Sequence, residues 1–598
     1  MNQRFNDQWA EQIVHAFIRK GVSAFYISPG YRNLPLISAL TAVRQPEIQL
    51  TSCVDERSAA YRALGYAKHS GKAACLICTS GTAACNYYPA VVEAHKENIP
   101  LIVLTADRPF ELAHSAANQV IDQSKIFEGF LKHRICFPTP HRDIAPAVIG
   151  KQCALAFEKG HVFPKGPVHV NIPFREPLQS KFQETTVTLD EQGTQLLSEN
   201  LTLRADTLTK LASWCSTITT AARPLAILGR LSSRGDEREA RVLLEKLRWP
   251  VYRDATLSEP LNEVPQVLDL SLPASAAWVR DYNPDLVLHV GRRLVSKDWD
   301  AILPTLPLRH YYVVSDESSY PDSTYSATDF VLDDIGAVCR SLGAAVMSNP
   351  SVMSNPSVMS NTSLMSNASV IRNAPVILSE AKDLPHQTLA NIQNDLRNSL
   401  DRIPFSTLKI ASLVWNSEGA APWELFLGNS SAIRSFNLVN FGAASRLQGV
   451  FANRGVSGIE GHIATTLGLS DHSTVPIVTV LGDISALHDL GSFLNLAQAR
   501  NPVCVILLND RGGGIFRRLN IDETQYEKIM PFLVTPHEFE FGPIAEMAGI
   551  GYDKVDCSQD FQSSLTKFWR ERKTKIIECV IDNENESKAW QVLSRKET

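Results

Sequence analysis

Short apolar runs that stop abruptly at Gly, Ser, Asp or Arg recur along this chain, and the stretches between them carry apolar residues at helical spacing. In the first third the runs fall at 24–27, 73–78, 101–105 and 168–172, with a further strand, less apolar, expected at 49–54. Helical patterns separate them, over 6–20, 56–70, 83–96 and 144–158. The runs lack in–out alternation, as expected of strands buried on both faces of a parallel sheet. The pattern returns at 225–228, 251–252, 286–290 and 311–314. It appears once more at 476–481, 502–508 and 576–581, with a helical stretch over 487–500. This alternation predicts an α/β fold of three consecutive open, mostly parallel-sheet domains, at 1–185, 200–343 and 389–598. Residues 174–200 are polar and non-periodic, and read as a connector.

Between the second and third domains, 346–388 reads as a low-complexity insert. Met347, Met353, Met359 and Met365 each begin a copy of Met-Ser-Asn-x-Ser-Val/Leu. Copies this short, without regular glycine, cannot close a β-helix, so a linker rich in Ser, Asn and Pro is expected. A chain of 598 residues is too long for one core. Its formal net charge of −5 gives no support for nucleic-acid binding. No apolar run reaches membrane-spanning length, which speaks against a membrane partner. Residues 1–19 lack a signal-peptide layout; Trp9, Ile13, Val14, Phe17 and Ile18 fall at helical spacing instead. Eleven scattered cysteines fit a reduced, cytoplasmic protein. Cys75 and Cys78 lie three apart on one strand, so they point to opposite faces and are not expected to share a metal.

The candidate chemistry sits where runs end. Gly482-Asp483-Ile484-Ser485 follows one run, and Asn509-Asp510, then Gly512-Gly513-Gly514, follows the next. Adjacent parallel strands end at one sheet edge, so Asp483 and Asp510 should converge. A helix opening at Ser485 would place N–H groups beside them. Paired carboxylates beside a helix start suit a magnesium ion and the diphosphate it neutralises. The glycines would let a backbone carbonyl turn toward the metal. Neither a P-loop run nor a Gly-x-Gly-x-x-Gly after a strand is present, which argues against those nucleotide sites. Asp55-Glu56-Arg57 reads first as an acidic helix start. Thr79-Ser80-Gly81-Thr82-Ala83 reads as a small-residue cap, or a place where a ring lies close to backbone. Arg32, Arg108, Arg434 and Arg454, with Asn118, Gln119 and Ser430, occupy loops after strands, the edge where open α/β sheets keep their sites. Several guanidinium forks there predict a substrate with several carboxylates.

With these residues assembled, the chain resembles the thiamine-diphosphate-dependent enzymes. Most closely it resembles the menaquinone-pathway synthases that make 2-succinyl-5-enolpyruvyl-6-hydroxy-3-cyclohexene-1-carboxylate. The resemblance covers the chain except the insert. It is strongest in 28–36, 55–67, 79–89, 104–123, 166–177, 428–434, 453–461 and 482–516. It implies three domains of the thiamine-diphosphate enzyme type: a pyrimidine-binding first, a cofactor-free middle, and a third that binds diphosphate and Mg2+ or Mn2+. The implied activity is that of a transferase in menaquinone biosynthesis. It decarboxylates 2-oxoglutarate and adds the succinyl-semialdehyde carbanion to isochorismate, in a homodimer or homotetramer with active sites between subunits. Glu56 matches the glutamate that bonds the cofactor's pyrimidine ring and governs its proton chemistry, and Gln119 is the second implied catalytic position. Ile459 matches the apolar wedge that bends the cofactor. Thr82, Gly482, Asp483, Ile484, Ser485, Asp510 and Ile515 complete the implied cofactor set, and Asp483, Asp510 and Gly512 the metal set. Arg32, Arg108, Asn118, Gln119, Lys297, Ser430, Arg434, Arg454 and Phe516 fall on the substrate side.

Three positions depart from the family pattern. Asp510 stands where Asn is usual, which gives the metal two carboxylates, with Arg511 beside it to offset the charge. Tyr31 replaces a small Ser, and Asp298 follows Lys297 where a second basic residue is common. A rival reading is a flavin-containing enzyme of the acetolactate synthase kind. Another is a non-catalytic homologue, against which the intact Glu56 and Asp483 weigh.

Overall fold

The computed structural model describes residues 2–113, 115–179, 182–189, 203–258, 261, 264–317, 320, 322–348, 389–417, 422–440, 446–519 and 521–594. The apolar runs of the first third become Ala24–Ile27 (β1), Ala74–Cys78 (β3), Leu101–Asp107 (β4) and Val168–Pro173 (β6); the strand expected at 49–54 becomes the edge strand Gln49–Ser52 (β2), and His133–Cys136 (β5) joins them. They form one sheet in the order β2-β1-β3-β4-β6-β5, and every neighbouring pair is parallel. The helices Asn2–Arg19 (α1), Leu34–Thr41 (α2) and Pro146–His161 (α6) bury one face of that sheet. Glu56–Ser70 (α3), Thr82–Asn86 (α4) and Tyr88–Lys96 (α5) bury the other. Cys75 packs in the first of these cores and Cys78 in the second, as residues three apart on a strand must. The helical pattern over 83–96 divides at Tyr87, because Pro89 restarts the helix as α5.

The second sheet holds Pro224–Leu228 (β7), Val251–Arg253 (β8), Gln266–Val267 (β9), Leu286–Val290 (β10), His310–Ser315 (β11) and Asp329–Leu332 (β12). Its order is β12-β11-β10-β7-β8-β9, again parallel throughout. A third sheet, also of six strands, contains Trp423–Leu427 (β13), Leu447–Phe451 (β14), Ile477–Gly482 (β15), Val503–Asn509 (β16), Gly551–Val555 (β17) and Lys575–Val580 (β18). By packing, the chain divides into two compact units. One comprises Met1–Glu199, Ala452–Lys554 and Ser564–Glu578; the other comprises Asn200–Phe451, Val555–Ser563 and Cys579–Thr598.

In the first unit, α3 crosses the helix His462–His472 at backbone contact. A Cβ on Gly65 would lie 2.1 Å from the Thr465 carbonyl oxygen, and one on Gly468 would lie 1.9 Å from that of Arg62. Glycine on both helices is what permits this approach. A buried ion pair locks the crossing: Arg62 donates from Nε and Nη2 to Asp471 at 2.8 Å each, and the Tyr26 hydroxyl donates to Asp471 Oδ2 at 2.8 Å.

The structure corrects several expectations. The helix over 487–500 is instead three short pieces, Asp483–His488, Leu490–Phe493 and a 3-10 turn at Leu496–Gln498. Asp489 breaks it by turning its carboxylate to the start of the 462–472 helix, where it accepts from Ile463 N at 2.8 Å and Ala464 N at 3.1 Å. The described part of 174–200 is docked rather than a free connector: Thr185 bridges to Val43, and Val187 is buried in the first core. The insert starts later than expected, since a helix runs Ile335–Ser348 and includes Met347; its remainder, 349–388, lies outside the described residues. β13 escaped the apolar pattern because the buried Glu424 interrupts it, held by Arg234 Nη2 at 2.6 Å. All eleven cysteines are free. No described helix is long and apolar enough to cross a membrane.

Candidate active site

β15 and β16 pair in parallel with Gly482 opposite Leu508, so Asp483 and the Asn509-Asp510 pair leave the sheet at the same edge. The helix opens at Asp483, two residues before the expected Ser485, and Ser485 lies buried within its first turn. Asp483 is 1% exposed. Its Oδ1 accepts from Ile484 N at 2.6 Å and its Oδ2 from Gly512 N at 2.9 Å. The Ile484 amide is therefore taken up by Asp483 rather than left for an external anion. Burial pushes the Asp483 carboxyl up, opposed by the Gly512 amide and by His537, whose Nε2 lies 3.2 Å from Oδ2. Asp510 is buried against Gly514, where a Cβ would come within 1.8 Å of its Oδ2. The Gly512 carbonyl accepts from Gly514 N at 3.0 Å, and Gly513 N donates to Val534 O at 2.7 Å. Arg511, expected to offset the second acid, pairs with Glu538 at 2.7 Å. Ile515 and Phe516 lie on the 3-10 turn Gly514–Arg518, with the Phe516 ring folded back over Gly513.

The first sheet reverses its winding between β1 and β3, and the loops after those two strands carry the next group. Asp55 caps α3 through Arg57 N at 2.8 Å, which sets Glu56 as the first helical residue. Burial, with the Asp55 charge beside it, pushes the Glu56 carboxyl up. Glu56 lies within electrostatic reach of Cys78 and Tyr87, and the Tyr87 hydroxyl is 3.1 Å from Ser28 Oγ. Thr82 opens α4 behind Gly81, whose amide donates to Gln123 Oε1 at 2.8 Å. Arg108 Nη2 donates to Gln119 Oε1 at 3.0 Å, and Gln119 adopts a left-handed φ of 58°. Arg32 is nearly buried and committed within the fold: it donates to the Phe174 carbonyl at 2.8 Å and to Glu176 at 2.9 Å. Burial and the nearby Arg108 lower its guanidinium pKa. Asn118 and Tyr31 are exposed.

Arg454 and Ile459 share the loop 453–461 of the first unit, both half-buried. In the second unit, Ser430 precedes the helix Ser431–Leu438 with a strained φ of 70°, and Arg434 is exposed on that helix. Three hydrogen bonds hold the helix end: Asn437 accepts from Ala255 N at 2.9 Å and donates to the Tyr252 hydroxyl at 2.9 Å, and Asn440 accepts from Arg253 at 3.1 Å. Lys297 is exposed at the start of the helix Asp298–Ile302. Burial raises the Asp298 carboxyl pKa, and Arg434 opposes this, which places Asp298 in the electrostatic field of Arg434.

Sequence reasoning missed His537, which meets Asp483, and Glu578. Glu578 is fully buried; it accepts from Asn509 Nδ2 at 2.6 Å, Phe541 N at 2.9 Å and the Tyr552 hydroxyl at 2.7 Å, and so fixes the end of β16. It also missed Glu93 and Glu97, which hold the Arg454 loop. Each sits far along the chain from its partner: His537 in an irregular segment, Glu578 inside the buried strand β18, and Glu93 and Glu97 at the end of α5.

Acids on neighbouring strand ends and arginines on strand-end loops are the furniture of a thiamine-pyrophosphate enzyme. Residues 8–126 match the family described as thiamine pyrophosphate enzyme, N-terminal TPP binding domain, and 438–579 match its C-terminal TPP binding domain. The solved Rhodococcus jostii RHA1 thiamine diphosphate-dependent 4-hydroxybenzoylformate decarboxylase shares the fold, with a TM-score of 0.66 over 96% of this chain and 99% of that one at 16% identity. The 2-succinyl-5-enolpyruvyl-6-hydroxy-3-cyclohexene-1-carboxylate synthase of Syntrophus aciditrophicus is 32% identical, over 99% of this chain and 98% of its own. That of Chlorobium phaeobacteroides is 32% identical, over 96% and 95%. The chain belongs to this synthase family.

The residues present fit the cofactor of that family. A Cβ on Gly482 would meet no atom within 4 Å, which leaves the backbone beside Asp483 open to a close-lying group. Two buried acids at neighbouring strand ends form a donor set suited to a hard divalent cation.

Proposed function

We propose that the chain is a thiamine-diphosphate-dependent transferase of menaquinone biosynthesis. It decarboxylates 2-oxoglutarate and joins the remaining four-carbon unit to isochorismate, giving 2-succinyl-5-enolpyruvyl-6-hydroxy-3-cyclohexene-1-carboxylate and CO2. Asp483, Asp510 and the Gly512 carbonyl would hold Mg2+ or Mn2+, which neutralises the diphosphate. The first-sheet domain takes the aminopyrimidine, and the enzyme works as a homodimer or homotetramer with sites between subunits. The observation that carries this reading is the buried Asp483 carboxylate, bonded across the strand ends to the Gly512 amide beside Asp510.

Bound there, the cofactor supplies the carbanion stabilisation that lets a 2-oxo acid lose CO2. The protein's own residues do the rest. Burial favours the protonated form of Glu56, so its carboxyl can donate a hydrogen bond to a ring nitrogen. Arg108 holds Gln119 by its Oε1, which leaves the Gln119 NH2 to donate to a substrate oxygen. Arg434 and Arg454 provide guanidinium forks for substrate carboxylates. Ile515 and Phe516 offer an apolar wall for the cyclohexadiene ring.

The test is CO2 release from 2-oxoglutarate, with and without isochorismate, in the presence of thiamine diphosphate and magnesium. Release that depends on both additions is expected, and Glu56→Ala should slow it by about 100-fold or more. Release unchanged by Glu56→Ala would end the catalytic assignment, and a flavin absorbance in the purified protein would favour the pyruvate-using rival.

A further inference from the structure

Three consecutive amides of the Arg454 loop all point at one helix. Arg454 N donates to Glu97 Oε1 at 2.8 Å, Gly455 N to Glu93 Oε1 at 2.8 Å, and Val456 N to Glu93 Oε2 at 2.8 Å. Successive N–H groups turned to one side form a concavity that favours negative charge, and here two side-chain carboxylates fill it. Glu93 lies in the last turn of α5 and Glu97 is the residue that ends it, four positions on; they are 1% and 5% exposed. Lys68 of α3 braces the arrangement: its Nζ lies 2.7 Å from Glu97 Oε2 and donates to the Ala452 carbonyl at 2.6 Å and Asn453 Oδ1 at 2.9 Å. The fit leaves no room for a side chain at 455, where a Cβ would come within 2.9 Å of the Glu93 carbonyl oxygen and of Lys96 Cβ. The far end of the loop is tied as well, by the Tyr61 hydroxyl donating to Glu460 at 3.0 Å.

We propose that Glu93 and Glu97 are positioning residues: through the three loop amides they set where Arg454 and Ile459 stand, and so tune substrate binding. The inference rests on the activity proposed above. Two like charges buried side by side on a helix are a poor choice for stability alone. They are well suited to hold a loop that turns three successive N–H donors toward them. The same crowding gives the clamp a pH response. Burial and the Glu97 charge push the Glu93 carboxyl up to about 7, opposed by Lys68 and the two loop amides. The groups facing Glu93 are Glu97, Lys68 and the Tyr61 phenol, with Glu460 beyond it. Above neutrality Glu93 accepts from both Gly455 and Val456. Protonation turns one of its oxygens into a donor, and one amide loses its acceptor.

Two measurements on the full-length chain test this. The first is steady-state KM for 2-oxoglutarate and for isochorismate between pH 6 and pH 8.5, with thiamine diphosphate and magnesium. In the wild type, KM for a carboxylate substrate should rise as pH falls through about 7. Glu93→Gln should raise that KM about tenfold, alter kcat far less, and abolish its pH dependence. Glu97→Gln keeps an acceptor but removes the neighbouring charge, so the inflection should move down by about one pH unit. The second measurement needs no cofactor: amide exchange of the peptide spanning 453–461, corrected for intrinsic rate. Protection should weaken below neutrality in the wild type, and at all pH values in Glu93→Gln. Folded variants with unchanged KM, pH profile and exchange would overturn the proposal. Should Glu93→Gln fail to fold, the wild-type exchange profile and the Glu97→Gln inflection decide it. A wild type that releases no CO2 would instead overturn the underlying activity.

Discussion

Gly482 adopts φ −78° and ψ 161°, a conformation open to any L-residue, and space for a Cβ is free. The fold by itself therefore gives no reason for glycine at this strand end, whereas a diphosphate lying against it would. Gly482→Ala should leave the urea unfolding midpoint nearly unchanged, within about 0.5 kcal/mol. It should weaken thiamine diphosphate binding about tenfold or more, roughly 1.4 kcal/mol, measured by calorimetry with magnesium present. Equal affinity in the variant would remove Gly482 from the cofactor site. Gly514 behaves oppositely: a Cβ there would strike Asp510, so glycine at 514 serves the protein's own packing.

The element that most constrains the first unit is the crossing of α3 with the 462–472 helix. It ties the helix that begins with Glu56 to the helix that follows the Ile459 loop, and its two glycines bring backbone against backbone. A Cβ at Gly468 would also lie 2.7 Å from Tyr66 N, and backbone cannot swing aside as a side chain can. Overpacked cores usually lose about 1–3 kcal/mol. Gly468→Ala should reach or exceed the upper end of that range in chemical denaturation, because the helices must part and strain the Arg62–Asp471 pair. A loss below about 0.5 kcal/mol would show that the crossing yields more easily than its geometry implies.

At the scale of the whole molecule, the chain resolves into two packed units, and a ligand bound to folded protein alone stabilises it by mass action. Thiamine diphosphate and magnesium together, at about 100 times the dissociation constant, should stabilise the folded chain by about 2.7 kcal/mol. Thermal denaturation should show this as an upward shift that chelation of the metal reverses. Asp483→Ala should abolish the shift while keeping a folded far-UV spectrum. A shift that survives both chelation and Asp483→Ala would place the cofactor elsewhere.

Local pattern was enough to read much of this protein. Strands buried on both faces announce themselves as unbroken apolar runs, and the Gly-Asp after β15, the glycines after β16 and the arginines after several strands follow from where those runs stop. Edge strands such as β5 and β17 were invisible, because their mixed exposure carries no such run. Only the tertiary structure set His537 against Asp483, gave Arg32 to Glu176, shortened the crossover after Asp483 and bound the Arg454 loop to Glu93 and Glu97. The reason is physical: periodicity reports which face of an element is dry, whereas the partner of a buried charge is chosen by sheet order and helix crossing between residues far apart in the chain.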